Sequence, residues 1–278
     1  MIAPEFKSCG VIGHTGMVGG TVFNYLKDLG LEVKGFSLDE GDEGAFDCDL
    51  VFVAVPTPYR WEGEKAGYDN SIVEATLSRI KEGGVAVIKS TVQVGTTETM
   101  QELFPHLKVL FNPEFLSEAT AEKDFRNPDR QIVGYTKQSY GHALSVLNLL
   151  PESAYDIILP AKEAELLKYI NNLHGSLSVI EANHYYDICE AEGLDYERVI
   201  KTAEASRWVG APMGRHYHKI FHKGKRGFAG KCFPKDVSAH LEYCRSNGID
   251  CRLIEAAWEV NKDLLKGQGY TPEEAEKL

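Results

Sequence analysis

The sequence predicts an α/β fold, a doubly wound parallel sheet, followed by an all-helical region built around one long helix. Three observations carry this. Through the first 160 residues, short apolar runs alternate with segments whose apolar residues recur at helical spacing. A glycine-rich turn separates the first apolar run from the first helical segment. From Ala161 to Glu192 there is no proline and a single glycine, Gly175, while Leu166, Ile170, Leu173, Leu177 and Ile180 keep helical spacing. The expected domains are residues 1–160 and residues 161–278.

The first strand is expected over 7–13, where Cys9, Val11 and Ile12 are apolar. Gly13-His14-Thr15-Gly16-Met17-Val18-Gly19-Gly20 follows, then a helix with Val18, Val22, Phe23, Leu26 and Leu29 on one face and Gly30 as its stop. A second strand covers 31–36. Strand, glycine turn, helix and strand in this order let a pyrophosphate approach backbone N–H groups at a helix N-terminus. The turn reads as a dinucleotide site, with a bare packing turn as the alternative. Its spacing, G-x-x-G-x-x-G, is one residue longer in the first gap than usual. Ser37 stands where an acid normally binds the adenosine ribose, with Asp39 and Glu40 just after it. Ser37 weakens the usual acid-based argument for NAD, but those two acids still disfavour a 2′-phosphate, so these residues leave both NAD and NADP open.

The alternation continues. Residues 50–55 form an apolar run, as a strand buried on both faces should. Further strands are expected at 84–89, 108–111, 131–135 and 155–159, with helices at 69–80, 95–103 and 139–150. Ligands in such sheets sit beyond the carboxyl ends of strands. Polar clusters occupy those ends at Pro56-Thr57-Pro58, Ser90-Thr91 and Asn112-Pro113-Glu114-Phe115-Leu116-Ser117-Glu118. Thr91 fits either a helix cap or a group facing the ligand. Glu114 and Glu118 fit either surface acids at a helix start or groups that orient a water or take a proton.

In the second half, the long helix would run about 48 Å, a length suited to linking two lobes or supporting a dimer. Lys168 and Asn172 share one of its faces, as a solvated pair or as donors to a developing oxyanion. A shorter helix capped by Asp195 extends to Ala205, and two more cover 235–246 and 252–265. The tail from Gly267 is polar and expected to fray. Between the helix capped by Asp195 and the one at 235–246 lies Gly227-Phe228-Ala229-Gly230-Lys231-Cys232-Phe233-Pro234-Lys235-Asp236. Small residues let backbone approach a ligand, and Pro-Lys-Asp opens a helix. A thiol at that helix N-terminus beside Lys231 and Lys235 should ionise readily and serve as a nucleophile; a buried, inert cysteine is the alternative.

Composition narrows the class. Hydrophobic residues make up 43% and charged residues 26%, as in a globular protein, and no apolar run is long enough to span a bilayer. The amino terminus lacks a signal-peptide layout, so the expected compartment is the cytosol. The six cysteines show no zinc spacing and are expected as thiols. A net charge of −11 argues against general nucleic-acid binding. Yet from Ala205 to Lys235 there is no acid and there are eight Lys or Arg, with His216, His218 and His222 among them. This island suggests an anionic ligand, with a solvated basic loop as the alternative. A metal site on the histidines is not expected, because no cysteine or carboxylate joins them.

Six motifs in order give the chain a specific resemblance: Val55-Pro56-Thr57-Pro58; the stretch Lys89-Ser90-Thr91-Val92-Gln93-Val94-Gly95-Thr96-Thr97; Asn112 to Glu118; Pro128-Asp129-Arg130; Ala164-Glu165-Leu166-Leu167-Lys168 with Asn172; and Gly227 to Asp236. Together they resemble the UDP-glucose/GDP-mannose dehydrogenase family over residues 7–262. The resemblance implies an NAD-dependent, four-electron oxidation of a sugar 6-hydroxyl to a carboxylate, with UDP-glucose as the first substrate. GDP-mannose, a UDP-N-acetylhexosamine, or a non-catalytic NAD-binding half of a split enzyme are the alternatives. It implies that Cys232 attacks the aldehyde, that the thiohemiacetal yields a hydride, and that the thioester is hydrolysed. Lys168 and Asn172 would stabilise the oxyanion, Asp236 would orient its neighbours, and Thr91 and Glu118 would hold water or shuttle protons.

The cofactor would lie on Gly13, Gly16, Met17, Val18, Ser37, Asp39, Pro56, Thr57, Thr91, Glu118 and Lys235. Substrate would meet Glu114, Phe115, Leu116, Lys168, Asn172, Arg207, Lys223, Arg226, Gly227 and Phe228. The resemblance also implies a homodimer. Ala119 and Ala229 stand where the family usually has glycine, and family members continue past this region into a second nucleotide-binding domain. The basic island is expected to grip the diphosphate in that domain's place, chiefly through Lys223 and Arg226, with Arg207 matching a family arginine that reaches a neighbouring subunit.

Overall fold

The structure, a computed structural model, describes residues 6–61, 67–206, 209, 217–221 and 224–277. The chain divides into two compact units, one of residues 1–58 and 69–168, the other of 59–68 and 169–278.

The first unit is the α/β half. Strands β1 (Ser8–Ile12), β2 (Glu32–Phe36), β3 (Leu50–Val53), β6 (Val85–Ile88), β7 (Lys108–Phe111), β8 (Gln131–Tyr135) and β9 (Asp156–Pro160) form one sheet in the order β2-β1-β3-β6-β7-β8-β9. Strands β4 (Tyr59–Arg60) and β5 (Gly67–Tyr68), between β3 and β6 in the chain, belong to the other unit. Helices α1 (Met17–Asp28), α2 (Ser71–Leu77), α3 (Thr96–Leu103), α4 (Ala121–Arg126) and α5 (Tyr140–Leu149) are the connections. All pairings are parallel except β7 with β8, which is antiparallel. The expected all-parallel sheet is thus mostly parallel: the short link through α4 returns the chain against β7, and β9 then pairs parallel with β8. Every residue of β3 and β6 is buried, which explains why these strands read as unbroken apolar runs. Val11, Val22, Leu26, Phe52, Val87, Leu110 and Val146 share one core, and each such side chain contributes about 1.5–3 kcal/mol on burial.

Helix α6 (Ala161–Glu192) leaves the first unit after Lys168 and continues in the second. There it is joined by α7 (Tyr196–Glu204), α8 (Phe233–Ser246), α9 (Arg252–Lys266) and α10 (Pro272–Glu276). Asp195 caps α7 by accepting the Arg198 N–H. Val179, Phe228, Val237, Leu241 and Trp258 form a core to which Trp61 adds. Trp61 comes from the segment after β3, whose two-residue strands β4 (Tyr59–Arg60) and β5 (Gly67–Tyr68) pair antiparallel. The Tyr68 N–H bonds Glu242 at 2.9 Å, and the Trp61 indole bonds Glu276 at 2.8 Å. The tail corrects the expectation of fraying. Thr271 and Glu274 form a capping box on α10, Ala275 is buried, and its carbonyl accepts the Gly230 N–H at 2.8 Å.

Candidate active site

The glycine turn is shaped by backbone. Gly13 has φ +87°, and a Cβ there would lie 2.2 Å from the Ala54 carbonyl, so only glycine fits. Gly16 sits at the N-cap of α1 with no side chain capping the helix and no acid in its first turn. That leaves a helix start whose N–H groups and positive dipole end suit a phosphate. Met17 is exposed there and Val18 half-buried. The residues present therefore fit a dinucleotide. Ser37, directly after β2, accepts the Thr15 N–H at 3.2 Å and lies 3.1 Å from His14 Nδ1, while Asp39 and Glu40 are exposed. At the ends of β3 and β6, the buried Thr57 hydroxyl donates to the Thr91 carbonyl at 2.7 Å, and Ser90 donates to the Val55 carbonyl at 2.6 Å. Pro56 is exposed and Thr91 half-buried on that rim.

A charged cluster lies beyond β7. Lys168 Nζ bonds the Glu114 carbonyl at 2.8 Å and its carboxylate at 2.7 Å, and both side chains are almost fully enclosed. Burial pushes the Glu114 carboxyl up, but Lys168, hydrogen bonds and Lys89 outweigh it and leave the group below its ordinary value. Lys89 is itself buried, 2.5 Å from Asn112 Oδ1, and burial brings its ammonium down to about 8. Phe115 is half-buried under the Arg130 guanidinium at 4.1 Å, the Leu116 N–H is held by Glu114, and Glu118 is exposed. Sequence reasoning assigned no role to Lys89, Asn112 or Glu165. Glu165 is fully buried and accepts the Gly95 N–H at 2.6 Å, the Thr97 N–H at 2.8 Å and the Thr97 hydroxyl at 2.6 Å. It caps α3, which has no side-chain cap of its own, and burial lifts its carboxyl to about 7 against those hydrogen bonds. Its signal was the Glu-x-x-Lys spacing to Lys168 at the start of a long helix.

In the second unit, Cys232 is exposed at the N-cap of α8, whereas the other five cysteines are buried. Asp236, one turn on, is 1% exposed and takes the Asn172 amide and the Lys235 ammonium, each at 2.5 Å. Lys235, expected at the cofactor, is thus ion-paired to Asp236. The loop before Cys232 hangs on Asn261. Its side chain accepts the Phe228 N–H at 2.7 Å and donates to the Phe228 carbonyl at 3.1 Å. Gly227 has φ +81°, and a Cβ there would meet Asn261 Oδ1 at 2.6 Å. The Phe228 ring is buried against Trp258 at 5.6 Å, a core residue by its side chain. Arg226 bonds Asn183 at 3.0 Å and Asp187 at 2.5 Å on α6 and stacks on Tyr186, so its guanidinium already has anionic and aromatic company. His218 faces Glu204 at 3.0 Å. Arg207, Lys223, His216 and His222 lie outside the described residues.

One cavity of about 420 Å³ lies among Tyr186, Glu190, Tyr196, Lys219 and Phe221, and another of the same volume among Arg130, Tyr155, Leu159 and Leu167. Neither includes the glycine turn or Cys232. Among the described residues no helix is long and apolar enough to cross a membrane.

A doubly wound sheet with a bare glycine turn at its first helix, followed by helices that present an exposed thiol, defines a dinucleotide-binding oxidoreductase fold. Residues 35–148 match the UDP-glucose/GDP-mannose dehydrogenase family, NAD binding domain, and residues 162–263 match the central domain of the same family. The chain belongs to that family, and NAD is its cofactor. It is 31% identical over 242 residues to a UDP-glucose 6-dehydrogenase of Pseudomonas aeruginosa, covering 80% of this chain and 51% of that protein. With the UDP-glucose 6-dehydrogenase TuaD of Bacillus subtilis it shares 32% over 225 residues, covering 77% and 46%. The chain thus spans about half the length of these curated relatives. A UDP-glucose dehydrogenase structure from Pyrobaculum islandicum superposes with TM-score 0.79 at 25% identity, covering 96% of this chain and 72% of that one. In fold alone, a Mycobacterium tuberculosis 3-hydroxyisobutyrate dehydrogenase matches at TM-score 0.72 and 16% identity, covering 97% and 95%.

Proposed function

We propose that the chain carries the cofactor-binding and thiol chemistry of a nucleotide-sugar 6-dehydrogenase, with UDP-glucose as substrate. The observation that carries the reading is Cys232, the exposed cysteine, set at the start of α8 one turn from a buried Asp236. Bound NAD supplies a hydride acceptor for each of two successive oxidations. The chain supplies the rest. Cys232 adds to the C6 aldehyde, so that carbon carries a hydride to lose and becomes a thioester, which water then hydrolyses to the carboxylate. Lys168 and Asn172, one helical turn apart on α6, donate to the oxygen that gains charge. Asp236 holds the Asn172 amide, and Glu114 holds the Lys168 ammonium, so neither donor must be oriented during the reaction. Thr91 and Glu118 handle the hydrolytic water and its proton. Glu114, Phe115 and Leu116 meet the sugar, and the same long helix makes the homodimer.

The test is NADH release by the purified chain with UDP-glucose and a small set of other nucleotide sugars, beside Cys232→Ser. The expected result is two NADH per sugar in the wild type and none beyond the first oxidation in the variant. Equal yields from both would overturn the thiol mechanism.

A further inference from the structure

The glycine turn holds one residue more than its usual spacing, and the imidazole of His14 occupies the room beside it. The ring stands against Gly35 in β2, where a Cβ would come within 2.5 Å of His14 Cγ. Phe23 of α1 packs on it with ring centroids 5.2 Å apart. A glycine inside a strand marks a place where another group approaches closely, and here that group is the imidazole. Nδ1 lies 3.1 Å from Ser37 Oγ, and Nε2 lies 3.7 Å from the Glu40 carboxylate. Ser37 Oγ also accepts the Thr15 N–H.

A serine hydroxyl has one proton and two lone pairs. The Thr15 amide occupies one lone pair. With the Glu40 carboxylate facing Nε2, the tautomer that carries its N–H there leaves Nδ1 as an acceptor. The Ser37 proton then points at Nδ1, and one lone pair is all the serine presents outward. We infer that His14 is a specificity-determining residue for the dinucleotide: by holding the Ser37 proton it turns the serine into an acceptor-only group, which takes a ribose hydroxyl and offers nothing to a 2′-phosphate. This rests on the glycine turn being the cofactor site. A carboxylate usually does this at the end of the second strand. Here a histidine and a serine reproduce its acceptor chemistry, and the exposed Asp39 and Glu40 add repulsion toward phosphate.

The experiment titrates NADH and NADPH into wild type, His14→Ala and the double variant His14→Ala/Ser37→Asp by calorimetry, with Tm recorded for each. Freeing the Ser37 proton adds a donor beside the one outward lone pair, so the preference for NADH over NADPH should fall about tenfold in His14→Ala. Ser37→Asp should restore it. Should His14→Ala not fold, Ser37→Ala, which keeps the imidazole, should lower the preference by a similar factor. An unchanged preference in a folded variant overturns the inference and leaves the cofactor site standing. A wild-type chain that binds neither dinucleotide overturns both.

Discussion

The glycine turn of the first unit and the cysteine loop of the second present their reactive groups by different means. The turn is pinned by backbone: Ile12 pairs with Phe36 on one side and Val53 on the other, and the Gly13 N–H bonds the Phe36 carbonyl at 2.7 Å. The loop is pinned mainly by side chains: Asn261 on Phe228, Arg226 on Asn183 and Asp187, and Gln268 on Arg226, with one backbone bond from Gly230 to Ala275. A ladder spreads its hold over many equivalent bonds, whereas a loop of this kind concentrates it in a few residues. Single substitutions should therefore disturb the loop far more than the turn's surroundings.

The largest expected effect breaks the loop. Asn261→Ala leaves the Phe228 N–H and carbonyl without their partner beside a buried ring, at a cost of about 2–4 kcal/mol. Chemical denaturation measures it, and a change below about 1 kcal/mol would show that the loop has another support.

The next effect sharpens the comparison, because Glu165 is the place where the first unit also relies on one side chain. Its carboxyl is raised to about 7 by burial, so the folded chain binds the proton more tightly than the unfolded chain. The associated stability is fully present below the ordinary carboxylate value and is lost as pH rises through about 7. Wild type should lose on the order of 1–3 kcal/mol between pH 4.5 and 7 from this group, and Glu165→Gln should flatten that slope. Unfolding curves across the range test it; an unchanged slope would mean that the three donors on Glu165 hold it ionised.

The smallest effect lies at the loop's far support. Thr271→Ala removes the capping box of α10, whose Ala275 carbonyl holds Gly230. It should cost about 1 kcal/mol. Tm readings would show it, and a larger loss would mean that α10 carries the loop as much as Asn261 does.

The same contrast explains what the sequence made legible. Strands and helices of the first unit follow from period and burial, and α6 runs over the residues its spacing predicts, Ala161–Glu192. The reversed direction of β8 is absent from local pattern, because a strand alternates identically both ways. The β4–β5 hairpin was invisible because its partner, Glu242, lies 174 residues away. The start of α10 carried a readable Thr-Pro-Glu-Glu signal that the polar composition of the tail obscured. Among site residues, the motifs named Cys232, Asn172 and Asp236, but the exposure of the thiol and the bond between Asn172 and Asp236 are set by the fold. The burial of the Phe228 ring in the core of the second unit was not legible, because its packing partner Trp258 lies 30 residues on. His14 and Glu165 were passed over because their partners, Gly35 and Ser37 for one and Gly95 and Thr97 for the other, are set by the fold.

Residues 59–68 leave the first unit after β3 and return to it before α2, having joined the second unit. During synthesis this arm emerges early, yet its partners, Glu242 and Glu276, follow 174 and 215 residues later. The sheet can be completed up to β9 while the arm is still waiting. Closing so long a loop adds only a modest entropic cost, but it fixes an order in which the α/β unit is finished first and the helical unit is sealed from both ends of the chain. A cut within α6 would therefore not yield two independent pieces, since the amino-terminal fragment would keep a strand pair and a tryptophan that belong to the other.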